Sequence, residues 1–197
     1  MPENKKDEKK QEQPGRGIYE WTQALVCSVL AAVVLFAFGA RVVGVSGGSM
    51  RETLQNGDLL LVVNRLLCGD FEPGDVVIAA KATFENGEPI VKRVIATGGQ
   101  TVDVDLEGGI VYVDGQPLEE PYIREATHLS EGTEFPLTVP EGSVFLMGDN
   151  RNGSRDSRAP ELGAVDERCL IGRAVFLLLP GETEDLGMRE WGRIGAL

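Results

Sequence analysis

A serine in a glycine-rich stretch is the first residue whose setting suits nucleophilic chemistry. Ser49 lies in residues 44–50, GVSGGSM, where glycines on its N-terminal side permit a tight turn and leave its amide and hydroxyl accessible. A serine hydroxyl is a poor nucleophile until a neighbouring group accepts its proton. The alternative interpretation of this stretch is a flexible linker without a catalytic role.

A lysine in a short aliphatic run is a group that could accept this proton. Lys92 lies in residues 89–95, PIVKRVI, and the alternation of a strand places Ile90, Lys92 and Val94 on one face. A lysine among aliphatic side chains loses hydration, which lowers its pKa and allows it to act as a base. The alternatives are that Lys92 reaches water from an edge strand or pairs with a carboxylate.

A polar loop that follows another apolar strand could support both groups. Residues 147–158, MGDNRNGSRDSR, are dense in hydrogen-bonding side chains. Its acidic and basic groups can pair in several ways, either as a buried ionic network behind an active site or in a plain surface turn. The groups concerned are Asp149, Arg151, Asp156 and Arg158.

The composition is that of one compact globular domain with an appendage. The chain has 197 residues, of which 42% are hydrophobic and 25% charged, so it is too short for two full-sized domains and too apolar for whole-chain disorder. Its 25 glycines and 10 prolines favour many tight turns, and therefore short strands over a helical bundle. A net charge of −12 argues against nucleic-acid binding, because phosphate neutralisation needs clustered lysines and arginines.

The cysteines and the single histidine indicate neither a metal centre nor a cofactor site. Cys27, Cys68 and Cys169 show no CxxC or Cys/His spacing, so a zinc site is not expected. His128 is the one histidine, and a Ser-His-Asp triad would depend on it alone. The sequence leaves open whether Cys68 and Cys169 form a disulfide.

An apolar run near the N-terminus predicts a transmembrane helix. Residues 21–40, WTQALVCSVLAAVVLFAFGA, carry no charge and are about long enough to cross the hydrocarbon core of a bilayer. A cleaved signal peptide is less favoured, because FGARVVG is a weak cleavage site. A buried core helix is also less favoured, because polar side chains interrupt this run only near its start.

The charges around this span predict its orientation. Five basic residues lie on its N-terminal side, whereas Arg41 and Arg51 are the ones that follow it closely. Because basic residues near a span favour the cytoplasmic side, we expect a single-pass cell-membrane protein with a cytoplasmic N-terminus and an extracytoplasmic body at residues 41–197. Residues 1–20, rich in Lys, Glu and Gln, are expected to form a disordered cytoplasmic tail.

Short apolar runs separated by turn signals predict a mainly β body. Strands at this spacing favour an antiparallel sheet or barrel over a parallel α/β fold. Residues 100–140 are more acidic, and we expect them to form an inserted hairpin or small subdomain. The predicted strands lie within residues 59–63, 76–78, 90–95, 110–113, 143–147 and 170–179.

These blocks together resemble the bacterial type I signal peptidase family, and the single N-terminal span is similar to its Gram-positive form. The resemblance runs from the span to about Pro180, in the order of the family. The matching positions are Ser49-Met50, Gly57-Asp58-Leu59-Leu60, Lys92-Arg93-Val94-Ile95, and Gly148-Asp149-Asn150-Arg151 with Ser154, Asp156, Ser157 and Arg158. The last block is the most specific, with eight agreeing positions.

The resemblance implies roles for these residues. Ser49 would be the nucleophile and Lys92 the general base, which predicts an alkaline optimum, because the lysine must be neutral to take a proton. Ser154 matches the position that hydrogen-bonds the lysine and orients it. Asp156 and Arg158 match an ion pair that stiffens the loop.

Three positions depart from the family pattern. Gly47 stands where some relatives place a serine hydroxyl, so the second oxyanion donor, beside the Ser49 amide, is expected from the backbone. Glu52 replaces proline in the family's Ser-Met-x-Pro-Thr, and Ala96 replaces glycine after Lys-Arg-Val-Ile. If the loop keeps the family geometry, position 52 has a backbone compatible with proline, and Glu52→Pro should fold.

The function implied by the resemblance is that of a membrane-anchored serine endopeptidase that removes N-terminal signal peptides. Its partners would be exported precursor proteins, cut after small-x-small sites, and the lipid bilayer. A self-cleaving Ser-Lys repressor shares the sheet fold but needs a DNA-binding helical domain, which residues 1–40 cannot form. A non-catalytic β module on a membrane tether fits the composition, and only the joint motif set argues against it.

Overall fold

The computed structural model describes residues 16–34, 38–182 and 187–197. These residues fall into two compact units, divided between Phe38 and Gly39. The first unit contains helix α1, Arg16–Val34. The second contains twelve strands that form two antiparallel sheets.

Helix α1 begins five residues before the predicted start at residue 21. Ile18 and Tyr19 extend the apolar character toward the N-terminus, so residues 16–20 are helical, although they were expected to belong to a disordered tail. The rest of that predicted tail, residues 1–15, lies outside the described residues. At the other end, Ala40 belongs to a strand and not to the helix.

Composition and length allow α1 to cross a membrane. Its window Gly17–Val34 has a mean hydropathy of 1.4, and 0% of that window is buried. The exposed apolar side chains of α1 are Ile18, Tyr19, Trp21, Leu25, Val26, Val29, Leu30, Val33 and Val34.

The main sheet has eight strands in the order β1-β2-β11-β3-β4-β9-β10, with β12 paired to β11. Every pair in it is antiparallel. Its strands are β1 (Ala40–Gly44), β2 (Leu59–Asn64), β3 (Val76–Ala79), β4 (Ile90–Thr97), β9 (Ser143–Met147), β10 (Val165–Asp166), β11 (Leu170–Leu179) and β12 (Gly195–Ala196). The predicted mainly β, antiparallel fold class is therefore confirmed.

The smaller sheet occupies the stretch where an inserted hairpin or subdomain was expected. Its four antiparallel strands have the order β7-β6-β5-β8, and their Val102, Val104 and Val111 pack in one apolar cluster with Ile95 and Phe145 of the main sheet. The strands are β5 (Thr101–Asp105), β6 (Ile110–Val113), β7 (Gln116–Pro117) and β8 (Leu137–Thr138).

The centre of the main sheet is buried on both faces. On β3, Val77 and Ala79 pack in one apolar cluster, whereas Val76 and Ile78 pack in another. Successive side chains of a strand point to opposite faces, which explains why the run VVIA is apolar without alternation. Strand β4, which pairs with β3 on one side and β9 on the other, is thereby placed inside the sheet and not at its edge.

Candidate active site

Ser49 lies in a turn that buried side chains hold in place. The turn follows β1, and Gly47 adopts a φ of 88°, which a residue with a Cβ would rarely take. Met50 and Leu54 are 1% and 0% exposed and pack in the same apolar cluster as Val45. The apolar residues around Ser49 therefore fix the backbone that carries it.

Lys92 reaches Ser49 from the middle of β4. Its Nζ lies 2.7 Å from the Ser49 Oγ, and the residue is 4% exposed. Ile90 and Val94 belong to one apolar cluster, as the alternation predicted for the face that Lys92 shares. The strand is central and the lysine does not extend to water, so the edge-strand alternative does not apply.

Burial also sets the protonation of this lysine. Loss of hydration lowers the pKa of Lys92 from 10.5 to about 8, and the charge of Arg158 contributes in the same direction. Asp156, Glu131 and Glu85 oppose the shift, because negative charges favour the ammonium form. A substantial fraction of Lys92 is thus neutral at mildly alkaline pH.

The ion pair expected behind the site is present between Asp156 and Arg158. The Arg158 Nε and Nη2 donate to the two carboxylate oxygens, each at 2.8 Å, and both side chains are fully buried. The Gly148 amide also donates to Asp156, at 2.9 Å. This carboxylate therefore ties the two ends of the polar loop together.

Ser154 makes a different hydrogen bond from the one the resemblance implies. Its Oγ donates to the Asp156 Oδ2 at 3.0 Å, and among the described residues no hydrogen bond joins it to Lys92. Asp156 lies two residues further along the loop, so the local partner satisfies the hydroxyl. Ser154 therefore contacts Asp156, whose charge raises the pKa of Lys92.

Gly148 brings this loop against the turn of Ser49. A Cβ at position 148 would lie 2.2 Å from the Ser154 Oγ and 2.5 Å from the Ser49 carbonyl oxygen. The Asn150 amide donates to that carbonyl at 3.0 Å, and the Asn150 Nδ2 donates to the Gly48 carbonyl at 3.0 Å. The two stretches pack so closely that a larger residue at position 148 would displace one of them.

The backbone amides near Ser49 can stabilise a developing negative charge. Among the described residues, neither the Gly48 nor the Ser49 amide has an acceptor within hydrogen-bonding distance. The Gly47 amide, in contrast, donates to the Asn56 Oδ1 at 3.1 Å. The Gly48 amide is therefore available, beside that of Ser49, as the second backbone donor.

The turn after Ser49 does not have the backbone that was expected for it. Glu52 adopts a φ of 84°, whereas proline fixes φ near −65°, so Glu52→Pro cannot fit without a rearrangement. Hydrogen bonds from the Thr53 and Leu54 amides to the Met50 carbonyl, at 3.1 and 2.8 Å, close this turn around residue 52. Sequence similarity could not reveal that Glu52 has a positive φ, because a residue type does not by itself specify a backbone dihedral angle.

Sequence reasoning missed the partner of Asp149. The Arg93 Nε and Nη2 donate to its carboxylate at 2.8 and 2.7 Å, and the Thr53 hydroxyl donates to it at 2.5 Å. The Tyr122 ring covers the Arg93 guanidinium, with 4.0 Å between guanidinium carbon and ring centroid. The sequence did contain one signal for this pairing. Arg93 follows Lys92 on a strand, and because neighbouring side chains on a strand point to opposite faces, Arg93 points away from Lys92 and toward other partners.

Two further acidic groups from residues 118–136 complete the buried network. Glu120 pairs with Arg151, whose Nη1 also donates to the Thr127 hydroxyl at 3.0 Å. Glu131 accepts from the Asp156 amide at 3.2 Å. Neither glutamate was singled out from the sequence, because each lies in a loop without a local motif.

A cleft opens beside Ser49 and Lys92. Charged side chains lie at one part of it, namely Glu85, Glu88 and Arg155. Apolar side chains line the rest: Val43, Ile78, Phe84, Pro89, Ile90 and Val91.

The cysteines and the histidine take no part in this geometry. Cys68 and Cys169 are free thiols that pack against the same apolar cluster. The His128 Nδ1 lies 2.9 Å from the Leu106 carbonyl oxygen. Within the described residues there is no group of three or more His, Cys, Asp or Glu side chains that could hold a metal.

Comparison with known proteins gives a consistent set of relatives. The family model described as signal peptidase, peptidase S26, matches residues 18–179. A probable signal peptidase I-1 of Synechocystis is 35% identical over 192 residues, covering 93% of this chain and 90% of the relative. A signal peptidase I of Bacillus licheniformis is 34% identical over 188 residues, covering 91% and 96%. The crystal structure of a signal peptidase I from Enterococcus faecalis aligns with a TM-score of 0.44 and 30% identity, over 53% of this chain and 96% of that one.

Proposed function

Since the chain belongs to the peptidase S26 family, as a bacterial type I signal peptidase, we propose that Ser49 and Lys92 form the dyad with which it removes signal peptides. The observation that carries the proposal is the 2.7 Å separation of Lys92 Nζ and Ser49 Oγ at a lysine that is 4% exposed. Nucleophilic catalysis requires a nucleophile within hydrogen-bonding distance of a base, and the base here is shielded from water.

The proposed reaction has two steps. Neutral Lys92 takes the Ser49 proton as the Oγ attacks the carbonyl carbon of the scissile peptide, and the ammonium then gives this proton to the leaving amine. The resulting ester is hydrolysed when Lys92 takes a proton from water, which attacks the acyl carbon; the bond from this carbon to Oγ then breaks as the ammonium returns the proton to Ser49. In both steps the Gly48 and Ser49 amides donate to the developing oxyanion.

The polar network behind the dyad supports the proposal, because it fastens the loop that hydrogen-bonds to the Ser49 turn through Asn150. Asp156 is paired with Arg158 and fastened to the Gly148 amide, and Ser154 donates to the same carboxylate. A network whose members are all hydrogen-bonded is rigid, so the dyad needs little reorganisation during the reaction.

The cleft and the N-terminal helix support the proposed substrate. Exported precursors carry an apolar stretch in the membrane and a small-x-small site just outside it. We infer that α1 anchors the protein as the single span of residues 21–40 was expected to do, with residues 41–197 extracytoplasmic. The apolar side chains of the cleft beside Ser49 then accept the small side chains of the cleavage site.

The test is cleavage of a model precursor by the full chain in lipid vesicles. Wild type should release the signal peptide after a small-x-small site, and Ser49→Ala and Lys92→Met should each abolish cleavage while the thermal unfolding midpoint stays close to that of wild type. EDTA should have no effect, because the proposed steps use no metal. Cleavage that survives in Ser49→Ala would overturn the dyad.

A further inference from the structure

A buried aspartate joins the turn after Ser49 to the C-terminal segment of residues 187–197. Asp58 is fully buried, and its Oδ1 accepts from the Gly181 amide at 2.6 Å while its Oδ2 accepts from the Gln55 amide at 2.8 Å. Arg193 completes its surroundings, because Nη1 and Nη2 donate to the two oxygens at 3.1 and 2.7 Å. A carboxylate at this depth needs such a cation, since an unpaired buried charge is strongly destabilising.

The same guanidinium also holds the turn directly. The Arg193 Nη2 donates to the Thr53 carbonyl at 3.1 Å. The Thr53 hydroxyl in turn donates to Asp149 and accepts from the Arg93 Nη2 at 3.2 Å. Thr53 therefore links Arg193, through its carbonyl, to Arg93, through its hydroxyl, and Arg93 is the residue next to Lys92 in the chain.

The C-terminal segment places Arg193 by adding a strand to the main sheet. Arg193 ends a short 3-10 turn, Trp191–Arg193, and β12 then pairs with β11 through Ala196 opposite Phe176. The backbone at Gly181 lies in close contact with the backbone at Asn56, since a Cβ at Gly181 would lie 2.1 Å from the Asn56 carbonyl oxygen. Arg193 lies beyond residue 179, where the match to the family model ends.

We propose that Arg193 is a positioning residue, which fastens the turn of residues 50–58 so that Ser49 stays within reach of Lys92. This role rests on the proposed function, in which the Ser49–Lys92 contact is the reacting pair. Met50 and Leu54 hold the turn from the core side, and Arg193 holds its polar side. Without the guanidinium, the Asp58 carboxylate loses its Arg193 hydrogen bonds, and the turn relaxes away from the sheet.

The first experiment compares Arg193→Met with Arg189→Met in the full chain in lipid vesicles. Arg189 belongs to the same segment, but it pairs with the exposed Glu182 at 3.8 Å and donates to the Pro180 carbonyl at 3.2 Å, and among the described residues none of its hydrogen bonds or ion pairs reaches the turn of residues 50–58. Well below the unfolding midpoint, Arg193→Met should lower kcat by about tenfold or more with little change in KM, since a lost hydrogen bond to a buried charge has that magnitude. Arg189→Met should cleave like wild type, and Arg193→Lys should lie between the two.

A second measurement, amide hydrogen exchange, does not depend on cleavage. The Val45, Leu54 and Gly57 amides, which hydrogen-bond within or onto the turn, should exchange faster in Arg193→Met and remain protected in Arg189→Met. If Arg193→Met does not fold, kcat and amide exchange are measured on Arg193→Lys, and these two values test the positioning role.

The outcomes separate the two proposals. If wild type fails to cleave the precursor, the proposed function is overturned. If amide exchange is nevertheless faster in Arg193→Met, the result supports the proposal that Arg193 fastens the turn of residues 50–58. A wild-type kcat in the Arg193 variant overturns the positioning role, whether or not exchange changes. An equal fall of kcat in the Arg189 and Arg193 variants also overturns it, because the effect would then belong to the segment as a whole.

Discussion

At the scale of single residues, the proposed chemistry depends on the exclusion of water from the Lys92 amine. Lys92 is buried in the main sheet, and desolvation lowers its pKa to about 8 although three carboxylates act in the opposite direction. The charged groups that face it are Asp156, Glu131, Glu85 and Arg158. The pKa of Lys92 therefore depends on desolvation and Arg158, which lower it, and on the three carboxylates, which raise it, so substitution of these neighbours can shift it.

The first prediction is the pH dependence of cleavage. Because Lys92 must be neutral to take the Ser49 proton, kcat/KM, which reports ionisation of the free enzyme, should rise with pH through a midpoint near the Lys92 pKa of about 8. Lys92→Arg should be inactive at every pH up to 10, since a guanidinium stays protonated there. The measurement is kcat/KM for a model precursor between pH 6 and 10, and an acidic optimum would contradict it.

The second prediction concerns Glu131, whose carboxylate raises the pKa of Lys92. In Glu131→Gln this negative charge is absent, so the ammonium form loses a stabilising interaction and the midpoint of the pH profile should move to lower pH. Glu134→Gln is the matched control, because Glu134 is exposed in the same loop and is not among the groups that act on Lys92. A midpoint that moves equally in both variants, or upward in Glu131→Gln, contradicts the assignment.

At the scale of elements, the turn of residues 50–58 decides where Ser49 lies. This turn has apolar contacts through Met50 and Leu54 and polar contacts through Asp58 and Thr53. Glu52, between them, has a positive φ and an exposed side chain 3.9 Å from Arg124. An exposed pair of this kind contributes about 0–1 kcal/mol, so the backbone conformation matters more than the charge.

The third prediction follows from that conformation. Glu52→Pro should lower the free energy of unfolding by more than about 1 kcal/mol and lower kcat as well, because proline cannot adopt a φ of 84°. Glu52→Gly should be tolerated, since glycine adopts positive φ freely. Glu52→Ala is the control for the lost side chain and should stay within about 1 kcal/mol of wild type. Chemical denaturation of the three variants distinguishes these effects, and a proline variant as stable as the glycine variant would show that the turn has another shape.

At the scale of the whole molecule, the uneven distribution of charge suggests how the protein meets the membrane. Residues 1–20 contain five basic and five acidic side chains, residues 21–40 contain none, and the net charge of −12 therefore lies on residues 41–197. The positive-inside rule counts the basic side chains near the span, which favours a cytoplasmic N-terminus. The acidic body is then outside, where the anionic inner surface of the membrane does not repel it.

The fourth prediction is this topology. Protease added to spheroplasts should degrade residues 41–197 and leave a small fragment that contains the span and the N-terminal tail. Inverted membrane vesicles are the control, and in them the body should be protected while the tail is removed. Full-length protein recovered intact in the soluble fraction would contradict the anchor.

Much of the fold could be predicted because its signals are local. Apolar runs bounded by turn residues indicated the strands of the main sheet, and the antiparallel, mainly β class is confirmed. The membership of the signal peptidase family and the serine peptidase activity are confirmed by the relatives. The catalytic roles of Ser49 and Lys92 stay predictions, although the structure brings the two side chains to 2.7 Å.

What the sequence determined by itself was therefore the kind of chemistry available, because residue types, spacing and periodicity are properties of short stretches. Tertiary structure decided which charges meet: Arg93 pairs with Asp149 across 56 positions, and Arg193 with Asp58 across 135. It also decided that Ser154 bonds to Asp156, that the Gly47 amide is occupied by Asn56, and that Glu52 has a positive φ. Such pairings depend on the packing of strands that are distant in the chain, and local residue patterns do not specify that packing.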